Sequence, residues 1–327
     1  MATIRDVAKL ADLSVATVSR AINGSGYVSE NSQKKIDSAI KALNFRPNEV
    51  ARSLYQKKSK LVGLLLPDIS NPFFPLLAKG VEDFLHGKGY QVILGNVQEN
   101  SERAVDYIHA FSQNNIAGVL SAVDSDNITY DDVKPLVFLD RVGMDSEYSI
   151  HADDIFGGAL AAQTVLATSP KGVIVIAGPK EVDRSHDRLQ GMIKILNQSK
   201  IRYYVVHSTS FLLEDAIKTA QEVFEHFPLI DTAIAPSDIH AIALIQEGYR
   251  RGIKVPDDLQ VIGYDDIPIS NLVVPPLTTI HQPAYEIGYK GAEMLYQLMN
   301  NQKVNEKKII LPVKLIERDT LRKKENK

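Results

Sequence analysis

The sequence predicts an α/β protein: an all-α head of three short helices, followed by a larger body built on two doubly wound parallel sheets. Three observations carry that prediction. Residues 3–43 show apolar positions at helical spacing between capping residues. From Leu61 onward short apolar runs alternate with helical stretches, and the alternation passes through two similar halves, before and after about Asp153.

The head opens with Thr3, which stands three residues before Asp6 at the spacing of a helix N-cap and its acidic partner. Ile4, Val7, Ala8 and Ala11 then share one face. After a turn, Ser14 caps a second helix, VATVSRAIN, with Val15, Val18 and Ile22 on the inner side and Ala16, Thr17 and Arg20 outward; Asn23-Gly24 ends it. Ser29 starts a third helix through Leu43, with Ile36, Ala39, Ile40 and Leu43 inward and Lys34, Lys35 and Lys41 outward. Two helices joined by a tight turn, the second with small side chains near its start, have the layout of a helix-turn-helix. Spacing alone leaves a generic small helical bundle as a competing reading.

In the body, the runs LVGLLL at 61, YQVIL at 90, IAGVL at 116, LVFL at 136, VIVIAG at 173, YYVVH at 203, TAIA at 232 and LQVIGY at 259 predict buried parallel strands with crossover helices. Open sheets of this kind take ligands beyond the carboxyl ends of their strands. There the chain places Asn71, Phe73 and Phe74, then Asp140 and Arg141, and in the second half Arg188, Phe211, Ser237, Asp238, Asp265 and Gln282. Sugar hydroxyls need paired donors and acceptors and sugar rings stack on aromatic faces, so the set suits a small hydroxyl-rich ligand. Singly, Phe73 and Phe74 also read as core, Asp140 and Arg141 as a surface pair, and Asp265 as a helix cap. Convergence on one edge of two sheets favours binding, with Asp265 accepting from hydroxyls and Arg188 donating.

A chain of 327 residues, 44% hydrophobic, can bury two or three domains. Residues 1–60 carry 11 Lys or Arg against 5 Asp or Glu, whereas the remaining 267 carry 26 against 35. A basic head on an acidic body suits a module that meets phosphates. With no Cys, and 8 His at no metal-like spacing, disulfides, thiolate chemistry and a metal site are not expected, and no cofactor is called for. Phosphate-loop, dinucleotide, zinc-protease and serine-elbow motifs are missing, which argues against an enzyme on a doubly wound fold. No secretory signal or long apolar run is visible, so a cytoplasmic, nucleoid-associated protein without membrane contact is expected. The charged end ERDTLRKKENK shows no apolar heptad, and a dimer is the expected oligomer.

The wording TIRDVAKLADLSVATVSRAIN, followed by RPNEVARSL, closely resembles the head and hinge of the LacI/GalR family of repressors. That resemblance implies a head at 1–46, a hinge helix and linker at 47–60, and a periplasmic-binding-protein-like sensor at 61–327. It also implies three crossings between the lobes, near 151–154, 281–284 and 308–313. Lobe 1 would hold about 61–152 and 284–308, and lobe 2 about 153–281 and 313–327. It further implies a homodimer on a pseudo-palindromic operator in double-stranded DNA. Val15, Ala16 and Arg20 would lie nearest base edges, Thr17 and Ser19 near phosphate, Thr3 also against DNA, and Asn48, Ala51, Arg52 and Leu54 in a hinge whose leucine wedges the minor groove. The strand-end residues match ligand-contact positions of similar sugar-binding members. GLLLPDISNPFFP, PLVFLDR, GYDDIPIS and TTIHQPAYEIG resemble ribose-operon repressors, making ribose the first effector expected. Ser237 departs from the Asn expected there, which leaves another pentose, a hexose or a sugar phosphate open. Release from DNA by effector is the expected sign, with a corepressor role as the alternative.

Overall fold

The computed structural model describes residues 2–23, 26–45, 59–98, 100–123, 128–143, 146–180 and 182–323. The expected hinge positions Asn48, Ala51, Arg52 and Leu54 lie outside them. The chain divides into two compact units, Met1–Lys60 and Leu61–Lys327.

The first unit is a bundle of α1 (Ile4–Ala11), α2 (Val15–Asn23) and α3 (Glu30–Leu43). Thr3 and Asp6 close a reciprocal capping box, in which Thr3 N donates to Asp6 Oδ2 at 2.8 Å and Asp6 N donates to Thr3 Oγ1 at 3.4 Å. Ser14 accepts from Thr17 N at 3.1 Å, and Ser29 caps α3 by accepting from Ser32 N. The spacing that predicted the helices also predicts their packing. Val7, Ala8, Ala11, Val18, Ile36 and Ala39 form the buried core. Val15, expected on the inner side, is instead 43% exposed, at the first residue of α2.

The second unit holds two six-stranded sheets with one design. In the first, β1 (Leu61–Leu66), β2 (Gln91–Asn96), β3 (Val119–Ser121), β4 (Leu136–Leu139), β5 (Ser149–Ala152) and β11 (Lys308–Leu311) lie in the order 11-5-4-3-1-2, every pair parallel. In the second, β6 (Val173–Ala177), β7 (Tyr203–His207), β8 (Thr232–Ile234), β9 (Gln260–Asp265), β10 (Thr279–His281) and β12 (Lys314–Ile316) lie in the order 12-10-9-8-6-7. The doubly wound parallel pattern has one departure: β12 runs antiparallel to β10. Only two residues separate β11 from β12, so no crossover connection turns the chain round before it joins the second sheet. β11 keeps the first lobe's chain to Leu311, slightly beyond the expected 308. β5, β10, β11 and β12 have no counterpart among the predicted apolar runs; they are three or four residues long and sit where the chain passes between lobes.

Helices cover both faces of each sheet. The first lobe has α4 (Phe73–Gly87), α5 (Ser101–Gln113) and α10 (Ala284–Met299); the second has α6 (Asp154–Leu166), α7 (Asp183–Leu196), α8 (Leu213–His226) and α9 (Asp238–Arg250). The central strands are therefore apolar on both sides. In β1, Val62, Leu64 and Leu66 pack with Leu77 and Ile287, while Leu65 packs on the opposite face with Ile108 and Phe111. β6 repeats the arrangement, with Val173 and Val175 on one side and Ile174 and Ile176 on the other. Among the described residues no helix is long and apolar enough to cross a membrane.

Candidate functional site

Parallel strands point their carboxyl ends one way, so each lobe presents its strand-end loops as one group, and here the two groups face each other. Between them lies a small cavity lined by Asn71, Phe73, Phe74, Asp140, Arg141, Val182, Arg184, Ser185, Arg188, Phe211, Asp265 and Gln282. Nine of the eleven residues expected to bind ligand are in that lining.

Asn71 fixes the start of α4, its Oδ1 accepting from Phe73 N at 3.1 Å. Phe73 and Phe74 are both buried and meet edge to face at 5.2 Å. Arg141 lies between two rings from different lobes, its guanidinium carbon 5.5 Å from the Phe74 centroid and 5.3 Å from that of Phe211. Arg188 is the most heavily constrained group. It lies 3.5 Å above the Tyr264 ring, donates from Nε and Nη2 to Asp154 Oδ1 at 3.1 and 2.8 Å, and donates from Nη1 to the Pro236 carbonyl. α6 reaches it closely because residue 158 is glycine: a Cβ there would collide with the carbonyl oxygen of Arg188.

Asp265 ends β9 in a strained backbone, φ 110°, and Asp266 follows at φ 59°. The turn is held from several sides. Gln282 Nε2 donates to Asp265 Oδ1 at 2.7 Å, Arg318 Nη2 donates to Asp266 Oδ1 at 2.6 Å, and Ile267 N donates to Asp238 Oδ2 at 2.9 Å. Gln282 Oε1 is a buried acceptor with no hydrogen-bond partner among the described residues, in the wall of the cavity.

Enclosure shifts the acids. Burial, reinforced by the negative charge of Asp154, raises Asp140 to about 6 against the pull of Arg141, Arg188 and Arg184. Burial also raises Asp265 well above the ordinary carboxylate range, with Arg188 opposing. The cavity thus offers acid groups with altered proton affinity beside fixed guanidinium donors, amide groups and three aromatic rings. That chemistry suits a polyhydroxylated molecule.

Ser237 and Asp238 do not line the cavity. Ser237 caps α9 and shares a hydrogen bond with His240 Nδ1 at 2.9 Å. Asp238 is fully buried and accepts from Ile267 N, Ser270 Oγ and Thr279 Oγ1, while burial raises it to about 7. Both stand at a strand end, after β8, yet strand and helix follow each other so closely there that their polar atoms serve the helix start and the neighbouring turn. Conversely, Val182, Arg184 and Ser185 line the cavity without having been expected. Arg184 stands one helical turn before Arg188, a spacing that would have placed it on the same face. Among the described residues no group of three or more His, Asp and Glu could hold a metal ion.

In the head, Ala16 and Arg20 are exposed together with Val15 on the surface of α2. Thr17 shares a hydrogen bond with Ser14 Oγ at 2.9 Å, Ser19 accepts from Asn23 Nδ2 at 3.2 Å, and Thr3 donates to Asp6.

Residues 3–48 match the family of bacterial regulatory proteins known as the lacI family, and residues 169–321 match a periplasmic binding protein-like domain. The chain is 45% identical over 324 residues to the ribose operon repressor of Lactococcus lactis subsp. lactis, covering 99% of both chains. It belongs to the lacI family. This lacI-family chain is a regulator of transcription, not an enzyme. Its fold matches the lac repressor dimer bound to operator and the anti-inducer ONPF, with TM-score 0.86, 25% identity and coverage of 98% of both chains. It also matches a LacI family transcriptional regulator from Enterococcus faecium with bound ribose, with TM-score 0.72, 25% identity and coverage of 80% of this chain and 98% of that one.

Proposed function

We propose that the chain represses a sugar-utilisation operon as a homodimer on a pseudo-palindromic operator and leaves the DNA when ribose, or a closely related pentose, fills the cavity between its lobes. The observation that carries this reading is the cavity itself: acceptors, guanidinium donors and aromatic rings from both lobes converge on one space between them. The relative from Lactococcus lactis, named for ribose, and the neighbour with bound ribose support the choice of sugar. In this reading Asn71, Phe73, Phe74, Asp140, Arg141, Arg188, Phe211, Asp265 and Gln282 hold the sugar, and the unpartnered Gln282 Oε1 accepts one of its hydroxyls. Ser237 and Asp238 support the site from behind.

On DNA, Val15, Ala16 and Arg20 read base edges in the major groove, with Arg20 able to pair with guanine through two hydrogen bonds. Thr17 and Ser19 sit nearest phosphate, with Thr3 also against DNA. Asn48, Ala51, Arg52 and Leu54 supply the hinge, whose leucine opens a base step. A DNA partner puts the protein in the cytoplasm, at the nucleoid.

The effector acts by binding one lobe arrangement better than another, since only differential affinity shifts an equilibrium. The test is fluorescence anisotropy of a labelled operator fragment at fixed salt, titrated with D-ribose, hexoses and ribose 5-phosphate. D-ribose should lower DNA affinity in a saturable manner. A rise in affinity would assign a corepressor, and no response to ribose would remove it as the effector. Three guanidinium groups in the lining, those of Arg141, Arg184 and Arg188, favour a sugar phosphate as the second reading.

A further inference from the structure

Arg184 stands apart from the rest of the lining. It is absent from the positions the family resemblance implies, it comes from the first turn of α7 in the second lobe, and its side chain reaches a backbone carbonyl of the first lobe. Nε donates to the carbonyl oxygen of Val142 at 3.3 Å, a contact between residues 42 apart in sequence. Nη1 pairs with Asp187 at 2.8 Å, one turn further along the same helix. The two side chains are only 18% and 25% exposed, so the pair is largely shielded from water and salt.

Val142 is no ordinary acceptor. It follows Asp140 and Arg141 directly in the loop after β4, and both of those line the cavity. Asp140 takes up the left-handed backbone at φ 59°, which fixes where the next two peptides point. A hydrogen bond to the carbonyl of 142 therefore anchors the loop that delivers both groups, and Asp187 keeps the donating guanidinium in one orientation on its helix. An i,i+3 ion pair at a helix surface ordinarily has little effect. Here it braces a donor that spans the cleft.

We propose that Arg184 is a positioning residue of the effector site: it fastens the loop carrying Asp140 and Arg141 to α7 across the mouth of the cavity, so that lobe closure is assembled partly from a contact the protein makes with itself. The inference rests on the effector site proposed above and adds to it a self-made latch. Apparent effector affinity scales with the fraction of molecules already in the competent arrangement. Losing the latch lowers that fraction, and affinity falls by the same factor.

The chain has no Cys, so a pair introduced at Glu102 and Glu214 carries unique spin labels. Both positions are exposed, at the starts of α5 and α8, each following the carboxyl end of a sheet-edge strand, one in each lobe. Double electron–electron resonance on the full-length protein then reads lobe separation, with and without D-ribose, in the parent and in Arg184→Ala, Arg184→Lys and Asp187→Asn. In the ligand-free protein, Arg184→Ala should move population from the short to the long distance, and Arg184→Lys should restore part of it. Calorimetric titration should show ribose affinity falling roughly tenfold in Arg184→Ala, by the factor that the closed fraction falls. Unchanged ligand-free distances in Arg184→Ala would overturn the latch, as would lost affinity without a change in closed fraction, which would make Arg184 a direct sugar contact. Should Arg184→Ala fail to fold, Arg184→Lys and Asp187→Asn carry the same comparison. If ribose fails to bind the parent, the choice of effector is wrong while the ligand-free distances still decide the latch.

Discussion

Arg188→Met is the substitution whose cost follows most directly from the structure. Arg188 is 7% exposed and Asp154 3%, and the Nη2 to Oδ1 distance of 2.8 Å makes them a buried ion pair. Asp154 Oδ2 has no hydrogen-bond partner among the described residues, and Oδ1 accepts twice from Arg188 but only at 3.4 Å from the Tyr264 hydroxyl, so Arg188 supplies most of its compensation. Removing one member of such a pair strands the other charge at a cost of about 3–5 kcal/mol, and losing the stacking on Tyr264 adds roughly 1 kcal/mol. Methionine keeps much of the apolar stem, so the loss reports the charge more than a cavity. The stranded carboxyl can escape only by taking up a proton. Burial already raises Asp154 above the ordinary range, so the penalty should be larger at pH 8 than at pH 5. Urea unfolding of the full chain, followed by far-ultraviolet circular dichroism, measures this in Arg188→Met, Asp154→Asn and the double variant. The double variant should recover about 2 kcal/mol or more relative to the sum of the singles. Strict additivity, or a cost for Arg188→Met under about 1 kcal/mol that does not vary with pH, would show that Asp154 is compensated by other groups and would refute the reasoning.

Three further outcomes are expected. Gly178→Ala places a Cβ against Ser185 Oγ and 2.6 Å from the Phe211 ring, so it should cost about 1–3 kcal/mol of stability and displace two cavity residues; a thermal-shift titration with D-ribose should show a weakened response. Asp140, near 6 when folded and near 3.9 when unfolded, holds its proton more tightly in the native state, so its contribution favours folding at low pH and is lost as pH rises through that window. Asp140→Asn should therefore gain up to about 3 kcal/mol over the parent at pH 7, an advantage that disappears near pH 4 in parallel urea titrations. Asp238→Asn replaces an acceptor oxygen by a donor where three donors converge, so it should destabilise by about 1–3 kcal/mol; unaltered stability with abolished effector binding would return Asp238 to the list of direct contacts.

The sequence alone was enough to determine the elements and the edge on which ligand chemistry gathers. Thr3 with Asp6, Ser14 and Ser29 specify their own helix starts through bonds to backbone only three residues away, and runs such as LVGLLL and VIVIAG can be stable only when both faces are covered. Strand-end residues such as Asn71, Asp140 and Asp265 were legible because parallel topology delivers them to one side whatever the details of packing. The tertiary structure decided which way each side chain turns and what it meets. Ser237 and Asp238 occupy strand-end positions like the others, yet their oxygens are taken by His240, Ile267, Ser270 and Thr279. Arg184 enters the site only because α7 lies opposite a loop some 40 residues earlier in the chain. Helix caps and strand apolarity are written in near neighbours and in the alternation of faces, whereas the partner of a buried polar atom is set by distant segments that the chain brings together only when it folds.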